Sequence, residues 1–180
     1  MKNPLRVDEM INPHVSVDCV VLGFDGEHLK VLLVKQTGHE ESGYYNNMKL
    51  PGSLIYNDED LDEAAQRVLY ELTGLNELHL IQFRAFGSKN RTNNPKDTKW
   101  LERFHQLNQK VERIVTITYL TMVKIDKKLT HLSDRYEACW TDIDALCPLA
   151  FDHNQIIGEA LWFVRQDVQT QPAALFDLLP

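Results

Sequence analysis

The side chains whose types and spacing could support chemistry are concentrated in an acidic segment, residues 57–63. Five of its seven residues carry a carboxylate: Asp58, Glu59, Asp60, Asp62 and Glu63. Carboxylate oxygens are the ligands that hard divalent cations prefer, so one interpretation is a cation site. The other is a helix N-terminus, where the backbone dipole favours negative charge. We favour the helix N-terminus for all of these residues except Glu59.

A helix that would position these carboxylates is predicted from Leu61 to Leu72. Asp60 and Glu63 have the spacing of a capping box, in which each side chain bonds the backbone of the other residue. Gly74 supplies the left-handed residue that commonly ends a helix. The apolar residues recur at helical spacing and form one face: Leu61, Ala64, Ala65, Val68, Leu69 and Leu72.

The stretch from Lys49 to Leu75 resembles the Nudix box. That motif is a glycine, five residues, a glutamate, seven residues and then Arg-Glu-U-x-Glu-Glu-x-Gly-U, where U is aliphatic. Anchored on Gly74, the match places the arginine at Arg67 and the first glutamate at Glu59. The first glycine corresponds to Gly52, with a loop one residue longer than usual.

The resemblance implies that three helix carboxylates would hold Mg²⁺ or Mn²⁺ on a diphosphate. In this sequence the corresponding positions are Val68, Glu71 and Leu72. Only Glu71 is therefore expected as a metal contact and, if the protein is an enzyme, as a catalytic residue. Arg67 is expected to pair with an acid and hold the box loop. Glu59 suits that role and is also a candidate ligand contact.

The implied fold class is α/β (α+β): the Nudix fold, a mixed β-sheet in an α/β/α sandwich with a Nudix-type helix. Alternating and β-branched segments predict the main strands: residues 15–24, 29–36, 78–86 and 113–125, the last one central. A final helix is predicted from Asn154 to Val168, with Asp152 as its cap.

Candidate ligand contacts lie on two strands and in one loop. Lys35 ends its strand and is a candidate anion or sugar contact, although a solvated lysine fits the pattern equally well. Residues 37–47 are predicted as a polar loop, where Tyr44 and Tyr45 would stack on a base or sugar ring or cover the end of the sheet. Arg84 is a further candidate, with an outward solvated position as the alternative.

The chain divides into three predicted parts: an N-terminal arm at 1–12, a Nudix-like domain at 13–168 with a helical insertion at about 88–112, and a linker or tail at 169–180. Trp100 and Leu101 begin an amphipathic pattern in the insertion, which Asp97 or Thr98 would cap. We interpret this helix as a lid, a dimer contact or a surface helix docked by Trp100. His105 is expected at the surface.

A closer resemblance is to one branch of the family, the Nudix-related transcriptional regulators of NAD metabolism or of arabinose and pentose use. It rests on the eroded glutamates, the helix start Phe151-Asp152-His153 and the closing Phe-x-Leu-Leu-Pro at 176–180. His153 is expected to be structural. In that branch the Nudix domain senses a ligand and a winged helix, which follows the Leu-Leu-Pro, binds DNA. Because this chain stops there, we expect the sensor half, with DNA binding only through a domain absent from it.

The resemblance implies a catalytically degenerate domain that senses a sugar or an ADP-ribose-like metabolite, acts as a homodimer and needs no cofactor. The alternative is an active hydrolase of nucleoside diphosphate compounds, a pyrophosphohydrolase that uses Mg²⁺ or Mn²⁺ at a reduced metal site. A third hypothesis is a dimerisation module without a ligand.

Composition and charge exclude several other classes of protein. A net charge of -7 argues against binding nucleic acid over a broad basic surface. No apolar run approaches the roughly 20 residues of a membrane helix, and the N-terminus has no signal-peptide core. Cys19, Cys139 and Cys147 are too far apart for a zinc motif, so reduced thiols and a cytoplasmic location are expected.

Overall fold

The computed structural model describes residues 10–40, 43–107, 110–127 and 129–170. The strands are β1 (Ile11–Phe24), β2 (Leu29–Glu40), β3 (Gly43–Lys49), β4 (Gly52–Tyr56), β5 (Ile81–Phe86), β6 (Val115–Lys124) and β7 (Cys139–Asp142). The helices are α1 (Leu61–Thr73), α2 (Pro95–Phe104) and α3 (His153–Thr170). Single turns of 3₁₀ helix lie at Asp134–Tyr136 and Ile143–Ala145.

The strands form one seven-stranded mixed sheet. Its order is β3-β2-β1-β6-β5, with β4 paired to β1 and β7 paired to β2. β1 runs parallel to β6 and antiparallel to β2 and β4. β6 lies between β1 and β5, which confirms its predicted central position.

The two faces of β1 are covered by different helices. Val17 and Val21 pack with α1 in one apolar cluster, whereas Val20 and Leu22 pack with α3 in another. Since successive side chains of a strand point to opposite faces, α1 and α3 lie on opposite sides of the sheet. The predicted α/β/α arrangement is therefore confirmed.

The predicted helix after the acidic segment is confirmed and extends one residue further, to Thr73. The backbone N–H of Asp60 donates to the Glu63 carboxylate at 2.9 Å, as expected for a capping box. Gly74 has a φ of 80° and donates its N–H to Tyr70 at 2.8 Å, which ends the helix. Local signals in the sequence thus define this element at both ends.

The prediction of a polar loop at 37–47 was wrong. β2 continues to Glu40 and β3 begins at Gly43, with Gly38 opposite Tyr45 and His39 opposite Tyr44. The polar composition of this segment predicted a loop, but the segment forms a β-hairpin. Its strands are joined by backbone hydrogen bonds, which form without an alternation of apolar side chains. The side chains of both tyrosines lie outside the described part of the chain.

The helix of the insertion begins earlier than its predicted caps. Asn94 is the N-cap, and its side chain accepts the backbone N–H of Lys96 at 3.1 Å. Pro95 follows, which suits a first helical position because it has no N–H to satisfy. Asp97 and Thr98 were therefore wrong as caps, and both are buried.

Helix α2 packs against the sheet through its apolar face. Trp100 and Leu101 are 7% and 5% exposed and form a third apolar cluster with Ile11, Leu54 and Ile114. Because Ile11 already belongs to β1, that strand starts within the predicted N-terminal arm. In the part of the chain that the structure describes, no helix is long and apolar enough to cross a bilayer.

Candidate functional site

An arginine clamp fixes the loop before α1 to the helix. The guanidinium of Arg67 donates to Glu59 through Nε at 2.7 Å and through Nη2 at 2.5 Å. Glu59 also accepts the backbone N–H of Tyr56 at 2.7 Å, and the guanidinium lies 4.1 Å from the centre of that ring. Burial opposes the ionisation of Glu59, but these hydrogen bonds outweigh it and hold its pKa below the usual range.

The helix positions that the resemblance assigns to metal ligands do not form a metal site. Val68 and Leu72 are 0% and 1% exposed and lie in the apolar cluster beneath α1. The side chain of Glu71 is 46% exposed and accepts a hydrogen bond from Arg67 at 3.1 Å. Among the described residues, no three His, Cys, Asp or Glu side chains are placed to hold a metal ion together. The described side chains at these helix positions therefore do not fit a Mg²⁺ or Mn²⁺ site.

A second group of side chains forms a buried polar cluster beneath α2. Its members come from separate parts of the chain: Asp18, Lys49, Arg91, Asp97, Asp152 and His153. Arg91 binds Asp152 with both Nε and Nη2, at 3.0 to 3.2 Å. Its Nη2 also lies 3.6 Å from Asp18, whose carboxylate accepts the Thr116 hydroxyl at 2.7 Å.

Asp18 is ionised at the centre of this cluster. Burial opposes its ionisation, but nearby His153 and the buried cations outweigh burial and hold the pKa of the carboxyl below its usual range. His153 contributes charge only when protonated, so at neutral pH the stabilisation comes from Arg91 and Lys49. A methyl group added at Gly52 would overlap the Asp18 carboxylate. Only glycine fits where β4 crosses Asp18.

Lys49 brings a buried positive charge to the same place. It is 2% exposed, and its ammonium donates to the carbonyl oxygen of Gly52 at 2.6 Å. The ammonium also lies 4.8 Å from the ring centre of Trp100 on α2. Burial lowers the pKa of Lys49 to about 8 even though Asp18 and Asp97 are near. No carboxylate of the described residues lies within ion-pair distance of this ammonium.

Two buried polar side chains beside Lys49 are incompletely bonded. Asp97 is 1% exposed, and one of its oxygens accepts the backbone N–H of Phe151 at 2.9 Å. Its other oxygen, Oδ1, has no hydrogen-bond partner among the described residues, and neither has either side-chain atom of Gln36. The Gln36 amide is close enough to affect the Asp97 carboxyl, yet burial dominates and raises the pKa of Asp97.

Two buried histidines flank the cluster, and both are neutral at physiological pH. The Nδ1 atom of His153 accepts the backbone N–H of Leu50 at 2.9 Å, so its proton lies on Nε2, 3.5 Å from Asp18. This contact gives His153 the structural place expected for it. His105 was expected at the surface, which was wrong: it is 4% exposed and lies 2.9 Å from the Ser53 hydroxyl. Burial lowers the pKa of each imidazole to about 4.

The other predicted ligand contacts lie in separate places. Lys35 pairs with Glu137 at 2.6 Å in an open cavity of about 560 Å³ beside β2. Arg84 pairs with Glu159 at 2.6 Å in a cavity of about 550 Å³ next to Trp162. Because β2 and β5 stand three places apart in the sheet order, these two cavities cannot form one site.

The sequence contained only faint signals for the buried polar cluster. Asp18 is a lone charge in the apolar segment that forms β1, and Arg91 lies in the loop before α2. Neither position belongs to a motif. Their burial depends on how β1, β4, β6 and the insertion pack together, which local patterns do not encode.

The mixed seven-stranded sheet, the capped helix α1 and the Arg67–Glu59 clamp define a Nudix-type domain. Residues 12–161 match the NUDIX domain family, and the chain belongs to that family.

Comparison with individual proteins identifies relatives among transcriptional regulators. The ADPR responsive transcriptional repressor NtrR of Acinetobacter baylyi is 24% identical over an alignment of 174 residues, and the match covers 94% of this chain and 61% of the repressor. The NUDIX domain of Shewanella oneidensis NrtR, solved in complex with ADP ribose, is 25% identical with a TM-score of 0.62. That match covers 84% of this chain and 88% of that domain.

Two further solved structures are similar to this chain. Shewanella oneidensis NrtR complexed with a 27mer DNA is 25% identical with a TM-score of 0.63, over 86% of this chain and 63% of that protein. A mutT/nudix family protein from Listeria innocua has a TM-score of 0.65 at 22% identity, over 88% and 98% of the two chains, and shows the shared fold alone. This chain thus spans less than two thirds of the regulators that it resembles.

Proposed function

We propose that this Nudix domain binds an ADP-ribose-like metabolite as a sensor and does not hydrolyse it. The observation that carries the proposal is the burial of Val68 and Leu72 in the apolar cluster beneath α1. At these positions a metal-dependent Nudix enzyme would be expected to have carboxylates. Glu71 alone cannot replace them, because a single carboxylate that is already paired with Arg67 is a weak divalent-cation ligand.

The chemistry of diphosphate cleavage explains why the loss matters. Attack of water on a diphosphate requires a cation to neutralise the phosphoryl oxygens and to orient the water. With two of the three helix carboxylates replaced by buried apolar side chains, α1 contributes to stability rather than to metal binding. The arginine clamp still fixes the box loop, so the scaffold is retained.

The relatives support the ligand class and the biological role. The Acinetobacter repressor is ADPR responsive, and the Shewanella domain was crystallised with ADP ribose. By analogy, this domain would belong to a cytoplasmic homodimeric regulator in which ligand binding shifts the affinity of a winged-helix domain for DNA. A pentose is the second ligand that we expect, because sugar-responsive regulators share the resemblance described above.

The test is proton and phosphorus NMR of ADP-ribose with the purified chain, in Mg²⁺ and separately in Mn²⁺. We expect saturation transfer to ADP-ribose and no new phosphorus signal over many hours. Signals of AMP and ribose 5-phosphate that disappear with Glu71→Gln would establish the hydrolase instead. A matched arm with arabinose tests the sugar alternative. Absence of binding to either ligand would contradict the sensor role.

A further inference from the structure

The buried polar cluster beneath α2 has the composition of a binding site but is closed in this structure. The space among Asp18, Lys49, Arg91 and their neighbours is a cavity of about 10 Å³, room for roughly one water molecule. Leu101 of α2 lines the cavity, and Trp100 of the same helix lies against the Lys49 ammonium. Several polar groups therefore share a compartment that no metabolite can enter unless α2 moves.

This closed compartment is costly for the folded protein. Beside the compartment, three buried side-chain atoms, two on Gln36 and one on Asp97, make no hydrogen bond of normal geometry to the described residues, although the two side chains lie close enough to act on each other. Buried polar atoms without partners are rare in native proteins, because each loses its bonds to water without replacement. The Lys49 ammonium has three protons to donate, and Gly52 is its one hydrogen-bond acceptor among the described residues. A purely structural packing of α2 would favour apolar side chains at these places.

Among the charged groups of the compartment, Lys49 is the one with donor capacity left for an anionic ligand. The carboxylates of Asp18 and Asp152 are already bonded to Thr116 and Arg91, so they are not available to hold a cation. Lys49 differs, because its ammonium lies against the ring of Trp100 and makes no ion pair, although Asp18 and Asp97 lie near enough to act on its charge. A phosphate oxygen placed where Trp100 now lies would accept the remaining ammonium protons in charge-assisted hydrogen bonds.

We propose that α2 is a lid, and that its displacement lets Lys49 bind the phosphate or diphosphate group of the ligand directly, without a divalent cation. This inference rests on the proposed function, because it identifies the group that would hold the anionic part of an ADP-ribose-like metabolite. Lys49 supplies the positive charge that the residues of α1 cannot recruit through a metal. Gln36, once uncovered, is available to a hydroxyl group of the same ligand, whereas Asp97 belongs to α2 and leaves with it.

The attachment of α2 is consistent with a lid. Its polar contacts to the rest of the domain include the Asp97 bond to Phe151 and the contact between His105 and Ser53. Its apolar contacts depend on Trp100 and Leu101. These contacts can exchange for ligand contacts, provided that the ligand binds the open state more tightly than the closed state.

The first experiment is calorimetric titration of the full chain in EDTA with three probes: ADP-ribose, pyrophosphate and adenosine. Lys49→Met is expected to weaken ADP-ribose and pyrophosphate binding about 30-fold, as the loss of a charge-assisted bond implies. Adenosine tests whether any binding persists without a phosphate, and it should not respond to Lys49→Met. Lys124→Met, at the exposed end of β6, is the matched control and should bind like the wild type.

The outcomes separate the two proposals. If ADP-ribose binds the wild type and Lys49→Met equally, the phosphate site is overturned while the sensor role stands. If pyrophosphate binds through Lys49 but ADP-ribose does not bind at all, the phosphate site stands and the ligand class is wrong. If neither probe binds, both are overturned. Circular dichroism verifies folding, and Lys49→Gln, which retains a donor for Gly52, replaces Lys49→Met if that variant fails to fold.

Hydrogen exchange tests the lid itself. With saturating ADP-ribose, peptides that cover Pro95–Phe104 should exchange faster, because α2 has left the sheet. Peptides of α3 should not become faster, because that helix stays in its own apolar cluster. Unchanged or slower exchange in α2 on ligand binding would overturn the displacement.

Discussion

The two faces of strand β1 differ in the side chains that they bury: one face is apolar, and the other holds buried charges. Val17 and Val21 face α1, where the positions assigned to metal ligands have become apolar and fully packed. Asp18 faces the other side, where it joins Arg91 and His153 in a buried polar cluster. The α1 side is optimised for stability, while the α2 side retains charges that destabilise the closed domain. We therefore propose that ligand binding takes place on the polar side.

The largest expected effect comes from restoring a carboxylate on the apolar side. Val68→Glu should destabilise the domain by more than about 4 kcal/mol, because the site is 0% exposed and offers no partner for a charge. Urea unfolding measures the loss. Tyr70→Glu, at a position 58% exposed on the same helix, should change stability by less than about 0.5 kcal/mol. A stable Val68→Glu protein that binds Mn²⁺ would reveal a dormant metal site.

The buried charge of Lys49 should make the free energy of unfolding depend on pH. Burial lowers the pKa of Lys49 from 10.5 to about 8, so between these values the unfolded chain binds more protons than the folded one. Stability should therefore rise as pH increases through this window, by up to about 3 kcal/mol for a shift of this size. The free-energy cost of burying the charged Lys49 ammonium is fully present below about pH 8.

Lys49→Met is the comparison that isolates this contribution. The variant should lack the rise and should be at least as stable as the wild type at pH 7, because it no longer buries a charge. Urea unfolding at pH 7, 8, 9 and 10 gives the free energy of unfolding of both proteins. In the difference between the two values at each pH, the titration of all other groups cancels. Parallel curves for the two proteins would show that Lys49 is not desolvated.

The arginine clamp should contribute less, but more than an exposed ion pair. Arg67→Ala should cost about 2 kcal/mol, because it leaves the partly buried Glu59 carboxylate without its main partner. Arg84→Ala removes a pair with Glu159 in which the arginine side chain is 56% exposed, so it should cost less than about 1 kcal/mol. Thermal unfolding of both variants compares them, and equal losses would argue against the clamp.

The smallest effect is expected from Glu71→Gln. Its carboxylate is half exposed and bonds only Arg67 among the described residues, so both stability and ADP-ribose affinity should stay near the wild-type values. Titration calorimetry and urea unfolding provide the two readouts. A large loss of affinity would assign Glu71 to the ligand site and shift the function back to the α1 side of the sheet.

Sequence reasoning predicted what local signals encode. The bounds of α1 followed from Asp60, Glu63 and Gly74, since caps and helical spacing act within a few residues. The Arg67–Glu59 pair followed from the resemblance to the motif. Such features can be predicted from one sequence, because they involve residues that lie close together along the chain.

The buried polar cluster could not be predicted in the same way. Asp18, Lys49, Arg91 and His153 meet only after β1 pairs with β4 and β6 and α2 closes over them. His105 is expected at the surface from the sequence because it has no partner at ligand spacing. Its burial comes from the docking of Trp100 and Leu101 beside it, which is a tertiary effect.

Whether this domain binds its ligand without a metal is decided by the affinity of the wild-type chain for ADP-ribose in EDTA and in excess Mg²⁺, with phosphorus NMR of the same samples. We expect the same dissociation constant within about twofold under both conditions, since Lys49 and not a metal supplies the charge, and we expect an intact diphosphate signal afterwards. Binding that requires Mg²⁺, or the appearance of AMP, would contradict it and restore a metal-dependent hydrolase.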